Sequence, residues 1–175
     1  MALKQSVLIE KATSLYKTAS LRQAIYETEQ EKHRSAFLCH SHKDEVLVEG
    51  LLGLFEENQI TLYIDWKDHT MPDIPNAKTA RIIQKKILSR DLFLFLATAN
   101  SKTSRWCPWE IGYADSSKKH IYIISTTDNY NTYGNEYLQL YPRIDEGIDK
   151  LRGSTGLAIF EPGETAGSWA SVNNL

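Results

Sequence analysis

The chain has 175 residues, of which 42% are hydrophobic, and its formal net charge is −2 at pH 7. This length suffices for one domain with a sizeable core. The nearly balanced charge gives no basic surface for nucleic acid or acidic lipids. No apolar run approaches the roughly 20 residues that a membrane span needs. We therefore expect a protein that binds neither nucleic acid nor membrane.

The two cysteines, Cys39 and Cys107, are too few for a disulfide framework. The first residues lack the apolar stretch of a signal peptide, because charged side chains such as Lys4 and Glu10 interrupt it. Both observations are typical of a protein whose thiols stay reduced. We expect a cytoplasmic location.

Residues 2–32 are predicted to form a helix, because apolar side chains recur every three or four positions at Leu8, Ala12 and Leu15. Proline and glycine are absent from the first 49 residues, which favours an uninterrupted helix. We assign residues 1–33 to this N-terminal helix. Two roles stay open for it: packing on the main domain, or pairing with another chain.

The main domain, assigned to residues 34–162, alternates apolar strands with amphipathic helices. Five strands are predicted, at residues 36–39, 61–65, 92–96, 121–124 and 157–160. Three helices are predicted, from Ser41 to Asn58 with a capping box of Ser41 and Asp44, around residues 80–87, and from Pro108 to Lys118. The other segments are expected to be a loop holding Pro72 and Pro75, a polar loop at 100–106, an irregular or partly helical stretch at 128–152, and a loose C-terminal tail at 163–175.

This alternation predicts an α/β fold in which a central parallel five-stranded sheet has helices on both faces. The strand at residues 92–96 (LFLFL) is apolar throughout, as expected for a strand covered on both sides. Ligand sites in such sheets form beyond the carboxyl ends of the strands. Functional residues are therefore expected within three segments that converge there, 40–44, 65–75 and 98–110.

Four kinds of site find little support in these segments. Walker and G-x-G-x-x-G phosphate-binding motifs are absent from the sequence. His40 and His42 share a face of an extended segment, but no cysteine or carboxylate cluster completes a zinc set, so no metal site is predicted. Asp65 ends a strand like the phosphoacceptor of response regulators, yet the paired acids of that class are missing. Cys107 at a helix start could be a nucleophile with a histidine base, although a packed cysteine is the more common case.

A fifth candidate is Glu110, a carboxylate in the first turn of the last predicted helix. The helix dipole favours a carboxylate there, so a solvated residue is the common case. Trp106 precedes it by four residues and Trp109 is adjacent to it. Two large aromatic rings beside one carboxylate are typical of a stacking wall for a flat ligand. Ser41, at another helix start, can cap its helix or present backbone N–H groups to an anion. Spacing alone leaves both pairs of alternatives open.

Three motifs, in order along residues 35–160, resemble the Toll/interleukin-1 receptor (TIR) domain family. They are the opening strand and turn at 35–44 (SAFLCHSHKD), the second strand and loop start at 62–66 (LYIDW), and the glutamate-bearing tract at 101–113 (SKTSRWCPWEIGY). The nearest likeness is to stand-alone bacterial TIR proteins of antiphage systems such as Thoeris, which residues 134–142 (GNEYLQLYP) also resemble. One departure is Met71-Pro72-Asp73, where many TIR domains carry Pro-Gly. The resemblance implies a flavodoxin-like three-layer fold.

The resemblance also implies cleavage of NAD at the nicotinamide–ribose bond, with NAD as the substrate and no separate cofactor. Nicotinamide leaves as a neutral base, so no general acid is needed, and one carboxylate can stabilise an oxocarbenium-like ribose. By resemblance, Glu110 takes this catalytic role. The implied NAD-binding residues are Ser41 and His42 near the phosphates or ribose, Trp66 and Lys67 closing the cleft, and Trp106 stacking on the base.

The predicted product is a signal derived from ADP-ribose, used in antiphage defence. Water attack would give ADP-ribose, whereas internal attack would give a cyclic isomer, which is the predicted form. The partners implied by resemblance are a second copy of the chain, through TIR–TIR contacts, and a downstream effector that senses the product. Two rival functions stay open: a non-catalytic TIR–TIR interaction module, and a transferase that joins ADP-ribose to a small acceptor.

Overall fold

The secondary structure comes from a computed structural model, which describes residues 2–17, 34–58, 60–68, 71, 72, 74, 76–117, 119–149 and 154–169. Its strands are β1 Leu3–Lys4, β2 Arg34–Cys39, β3 Ile60–Tyr63, β4 Leu92–Ala97, β5 His120–Thr127, β6 Thr132–Tyr133, β7 Arg143–Asp149, β8 Ser154–Phe160 and β9 Ser168–Trp169. Its helices are α1 Gln5–Lys17, α2 Glu45–Glu56, α3 Ala77–Ser89, α4 Ala99–Thr103 and α5 Cys107–Ser116. Short 3₁₀ turns span His42–Asp44, Asp65–Lys67 and Asn135–Tyr137.

Five parallel strands form the centre of the sheet, in the order β3-β2-β4-β5-β7. Counted from β2, this is the order 2-1-3-4-5 that flavodoxin-like folds share. The predicted α/β fold class with a central parallel five-stranded sheet is confirmed. Within the residues that the structure describes, no helix is both long enough and apolar enough to cross a membrane.

Side chains that alternate along the strands form a separate core on each face of the sheet. On one face, Leu94 packs with Leu51 of α2. On the other face, Phe93 packs with Ile83 of α3 and Ile111 of α5. Burying one such side chain stabilises the fold by about 1.5–3 kcal/mol. The helices therefore lie on both faces, in the three layers that the resemblance implies.

The N-terminal helix α1 packs on α2. Leu8 is fully buried, and an added Cβ on Gly50 would stand 2.1 Å from the Leu8 carbonyl oxygen. Lys11 and Glu57 also form an ion pair of 2.6 Å between the two segments. Of the two roles left open by the sequence, packing on the main domain is the one seen for residues 5–17.

The predicted helix at 2–32 begins later than expected. Leu3 and Lys4 are extended and pair in parallel with Thr126 and Thr127 of β5. β5 extends further than β4, and this pairing gives hydrogen-bond partners to the backbone groups of that extension. The Leu3 side chain is buried. The rest of that prediction falls on residues 18–33, outside the described residues, and the domain boundary at 33 stays a prediction.

The largest differences from the predicted elements follow β5. Residues 128–152 are predicted to be irregular or partly helical, yet β7 lies there as the fifth parallel strand. The predicted fifth strand, 157–160, lies within β8 and runs antiparallel to β7. The predicted loose tail at 163–175 contains β9, which pairs with β8. The sequence of β7 is mostly charged and lacks the apolar pattern of a buried strand. Its Ile144 side chain becomes buried only through packing in the folded protein.

Two smaller differences concern loops at the carboxyl edge of the sheet. The predicted polar loop at 100–106 includes part of α4, which begins with a capping box between Thr98 and Ser101. Ser41 caps only a 3₁₀ turn, where its hydroxyl accepts a long hydrogen bond of 3.4 Å from the backbone two residues later. The predicted capping box between Ser41 and Asp44 is therefore wrong, because the Asp44 side chain is engaged elsewhere.

Candidate active site

The candidate site lies where the strand order of the sheet reverses. β3 lies on one side of β2 and β4 on the other, and the helices that follow β2 and β4 pack on opposite faces of the sheet, the arrangement at which ligand crevices form in such folds. Ser41 and His42 follow β2, and Glu110 lies in α5, after β4. The third predicted segment begins at Asp65, after β3, and lies beside the histidines.

Asp44 ties the two loops together. Its carboxylate accepts hydrogen bonds of 2.6 Å from the Thr98 hydroxyl and from the Asn100 side-chain amide. Asp44 is buried, and an unsatisfied buried carboxylate would be strongly destabilising, so both partners matter to the loop conformation. The sequence assigned Asp44 to helix capping, whereas the structure gives it a positioning role.

Glu110 is a buried carboxylate, with only 5% of its surface exposed. Burial raises the pKa of its carboxyl to about 8, the nearby Cys107 and Asp65 raise it further, and the neighbouring Cys39 thiol opposes this rise. The helix N-terminus would favour the ionised form, so burial outweighs the helix dipole here. A carboxyl whose pKa lies near neutrality changes charge readily when a charged ligand binds beside it.

His42 and Asp65 form a hydrogen-bonded pair, with His42 Nε2 placed 2.8 Å from Asp65 Oδ2. This bond raises the pKa of His42 above its usual value. Burial by itself would raise the pKa of Asp65, but the hydrogen bond from His42 holds it below its usual range. The His42 side chain is 67% exposed and can therefore reach a ligand.

His40 lies beneath this pair and is buried. Its Nδ1 atom is 2.7 Å from the Leu38 carbonyl oxygen, which can only accept, so Nδ1 carries the proton. Its Nε2 atom lies 3.4 Å from Asp65 Oδ1. Burial lowers the pKa of His40 below the usual value, against the opposing charge of Asp65. The ring is therefore neutral, with a lone pair on Nε2.

Trp66 lies against the two histidine rings. Its ring meets the His40 ring edge-on at 4.4 Å and the His42 ring edge-on at 5.8 Å, measured between ring centroids. Lys67 follows in the same 3₁₀ turn, which begins at Asp65. The sequence predicted that Trp66 and Lys67 lie at the cleft, and the structure places their turn beside His42.

Trp106 stands at the start of α5, four residues before Glu110. Its ring meets Trp109 edge-on at 5.5 Å, and Trp109 stacks on Tyr113 at 6.1 Å. Trp106 is half-buried against the core beneath α5, whereas Trp109 is the more exposed ring. The three rings form a row along α5, and a stacking wall for a ligand beside Glu110 stays a prediction.

The structure brings some of the predicted site residues into contact with one another, whereas others have different neighbours. His42 contacts Trp66 directly, and the charges of His42 and Asp65 act on the Glu110 carboxyl. The contacts described for Trp106 are instead with Trp109 and with the core. The roles assigned to individual residues stay predictions.

Cys107, the candidate nucleophile, is fully buried. The Cys39 thiol donates a hydrogen bond of 3.8 Å to the Cys107 carbonyl oxygen, and both cysteines are free and buried. A hydrogen bond with Cys39 lowers the pKa of Cys107, while burial raises the pKa of Cys39. A substrate could not reach either thiol without a rearrangement, so the geometry favours a packing role.

Asp65 lies beside the two histidines because β2 and β3 are adjacent and parallel, with Phe37 paired to Tyr63. This strand order is not visible in the sequence. In adjacent parallel strands the residues just after the strand ends meet. A prediction that paired the first two strands would have brought Asp65 to His40 and His42.

The fold and this crevice define a flavodoxin-like α/β domain with a buried carboxylate at the switch point of its sheet. Residues 36–151 match the model of the TIR domain, and the chain belongs to that family. The family that the three sequence motifs predicted is confirmed.

The chain is similar in sequence to two bacterial proteins. The chain is 34% identical over 134 residues to "Probable 3' cyclic ADP-D-ribose synthase ThsB'" of Bacillus cereus (strain MSX-D12), a match that covers 73% of the chain and 68% of that relative. It is 26% identical over 95 residues to "Putative cyclic ADP-D-ribose synthase TIR2" of Cytobacillus dafuensis, which covers 53% of the chain and 25% of that relative. The chain thus aligns with about two thirds of the first relative and a quarter of the second.

Proposed function

We propose that the chain cleaves the nicotinamide–ribose bond of NAD and converts the remainder into a cyclic ADP-ribose that acts as a signal in antiphage defence. The observation that carries this proposal is Glu110, a buried carboxyl with a pKa of about 8 at the switch point of a TIR-family sheet. The names of the two relatives, both cyclic ADP-D-ribose synthases, support the same reaction.

The reaction requires a negative charge that stabilises the ribose cation, and it requires no general acid. When the bond between ribose and the cationic nicotinamide ring breaks, its electron pair neutralises the ring nitrogen, and the ribose becomes oxocarbenium-like. A carboxylate in a poorly solvated site stabilises this cation strongly, because few water molecules screen the charge. NAD brings its cationic ring to Glu110, which lowers the pKa of that carboxyl and favours the ionised form.

An internal nucleophile completes the reaction. A hydroxyl or ring nitrogen of the adenosine part attacks the ribose carbon, and an attacking hydroxyl loses its proton as the new bond forms. A base with a pKa near neutrality can take that proton. Glu110 therefore suits both steps: it stabilises the cation first and accepts the proton afterwards.

The opposite side of the crevice suits the diphosphate of NAD. The raised pKa of His42 favours a cationic ring that remains accessible to ligand. Ser41 lies one residue before it, and Trp66 and Lys67 lie in the adjoining turn. We assign these four residues to NAD binding, and we assign Trp106 to stacking on a base.

The assembly and location complete the proposal. We infer that copies of the chain associate through TIR–TIR contacts and that a downstream effector senses the product. A cytoplasmic setting agrees with two free, buried cysteines.

Incubation of the full chain with NAD tests the proposal, with nicotinamide release followed by chromatography and the remaining product identified by mass spectrometry. We expect a product one water lighter than ADP-ribose. ADP-ribose alone would make the chain a hydrolase, and an adduct with a small acceptor would make it a transferase. No nicotinamide release at high protein concentration would favour the interaction module and overturn the proposal.

A further inference from the structure

Three potential metal ligands converge beside the crevice, although the sequence predicted no metal site. Nitrogen atoms of His40 and His42 and a carboxylate oxygen of Asp65 all lie within 4.8 Å of one another. The histidines follow β2 and Asp65 follows β3, so the parallel pairing of these strands brings the third ligand to the other two. Along the sequence no carboxylate cluster completes a zinc set with the histidines, and the fold supplies the missing carboxylate.

His40 is the observation that points to a ligand. Its side chain is buried, and among the described residues its Nε2 atom has no hydrogen-bond partner. The bond from Nδ1–H to the Leu38 carbonyl leaves a lone pair on Nε2, and Asp65 Oδ1 lies only 3.4 Å away. A lone pair facing a carboxylate oxygen is electrostatically unfavourable, and a cation between them would remove the conflict.

The same bond is the arrangement that metal-binding histidines use. A ligating imidazole usually donates its other N–H to a backbone carbonyl or carboxylate, which fixes the ring and directs the free nitrogen at the metal. His40 donates to Leu38 in this manner, and Trp66 packs edge-on against both histidine rings. Two of the ligands are therefore held in place before a metal arrives.

We propose that His40, His42 and Asp65 form a binding site for Zn²⁺ or a similar borderline divalent cation, with a fourth position left open to water. Zinc binds imidazole nitrogen and carboxylate oxygen at about 2.0–2.2 Å, which separates tetrahedral ligand atoms by about 3.3 Å. His40 Nε2 lies 3.4 Å from Asp65 Oδ1, which matches this separation, and His42 Nε2 lies 2.8 Å from the other oxygen, Oδ2, so the exposed His42 ring would move to share one ion with them. Mg²⁺ and Ca²⁺ prefer oxygen ligands, so a site with two imidazoles excludes them.

The position of the site gives it a regulatory role, and this part rests on the proposed function. The three ligands follow β2 and β3, beside the carboxyl end of β4, the strand that leads to Glu110. His42 and Asp65 also act electrostatically on the Glu110 carboxyl. A divalent cation held between them would repel the cationic nicotinamide ring and the developing oxocarbenium charge. It would also withdraw His42 from the diphosphate. Zinc is therefore an inhibitor of NAD cleavage, reversed by a chelator.

Metal binding is measured first, without NAD, on the full chain after treatment with a chelator. Calorimetric titration with ZnCl₂ and metal analysis after dialysis should give one Zn²⁺ per chain, and Co²⁺ should give the absorption bands of a tetrahedral site. His42→Ala and Asp65→Asn should weaken zinc binding at least tenfold. His120→Ala is the matched control, because His120 is exposed at the opposite end of the sheet, and it should bind zinc like the wild type.

Each outcome decides one part of the proposal. Absence of stoichiometric zinc binding, or equal binding by His42→Ala, Asp65→Asn and the wild type, overturns the site. Loss of binding in Cys107→Ser with retention in His42→Ala would assign zinc to the thiols and also overturns it. Zinc binding without inhibition of NAD cleavage overturns the regulatory role alone. If zinc binds as expected but no sample cleaves NAD, the site stands and the proposed function fails.

Discussion

Asp65 and Glu110 are two shielded carboxylates at the same edge of the sheet, yet the structure shifts their pKa values in opposite directions. Asp65 accepts a hydrogen bond from His42 and another from the backbone N–H of Trp66, and its pKa is lowered. Glu110 lies deeper, the neighbouring Cys39 thiol and the charge of His42 offset its desolvation only in part, and its pKa rises to about 8.

The difference shows that partners, rather than burial alone, decide the charge of a shielded carboxyl. Burial disfavours the ion in both cases. Strong donors more than offset this effect at Asp65, whereas a thiol donates too weakly to offset it at Glu110. The crevice therefore holds one permanent carboxylate, which orders the histidines, and one carboxyl that can change charge during a reaction.

The largest expected effect comes from Glu110→Gln, which keeps the shape of the side chain and removes its charge. We expect nicotinamide release at pH 8 to fall about 10³-fold, the loss typical when a group that stabilises the transition-state charge is removed. The wild-type rate should rise between pH 6 and pH 8 as Glu110 ionises, and the variant should show no such rise. Glu10→Gln, at an exposed helical position, is the control. Normal turnover by Glu110→Gln would refute the assignment.

The second prediction concerns stability. Because the folded pKa of Glu110 is about 8 and its usual value is 4.5, the folded state holds the proton more tightly. Its contribution is fully present below pH 4.5 and is lost as the pH rises through 8. Glu110→Gln cannot ionise, so at pH 8.5 it should exceed the wild type in free energy of unfolding by roughly 5 kcal/mol, since each pKa unit between 4.5 and about 8 corresponds to about 1.4 kcal/mol.

Urea unfolding at pH 5 and pH 8.5 measures this difference. The gap between Glu110→Gln and the wild type should widen with pH, whereas Glu10→Gln should follow the wild type at both values. A gap of the same size at pH 5 and pH 8.5 would show that Glu110 does not carry a raised pKa.

The smallest expected effect is on the ionisation of His42. Asp65→Asn removes the charge that raises the pKa of His42, so the histidine should titrate nearer its usual value of 6.5. NMR titration of the imidazole protons measures this shift in the wild type and in the variant. His120 provides an internal reference on the same spectra. An unchanged His42 titration would mean that Asp65 is not its partner in solution.

The apolar central strands could be predicted from the sequence, and the fifth parallel strand could not. β4 reads LFLFLA and is buried along its whole length. β7 reads RIDEGID, a pattern in which charged residues outnumber apolar ones. Its place beside β5 is decided by pairing and by the burial of Ile144, which no local pattern reveals. The apolar segment 157–160 is therefore predicted, wrongly, to be the fifth parallel strand in place of β7.

The candidate site shows the same division. Glu110 could be singled out because a helix start, two tryptophans and a family motif coincide within a few residues. The partners that set the chemistry of the opposite side come from separate segments. Asp44 bonds to Thr98 and Asn100, 54 and 56 positions away. Contacts across such separations depend on which strands are neighbours.

Apolar periodicity and contiguous motifs are local properties, so the fold class, the family and the segment around Glu110 could be inferred from the residues alone. The charge states of the two carboxyls could not: Glu110 is protonated near neutral pH, and Asp65 is ionised between two histidines. A pKa depends on desolvation and on hydrogen-bond donors from other strands. The desolvation and the donors arise only when the parallel sheet brings the ends of β2, β3 and β4 together.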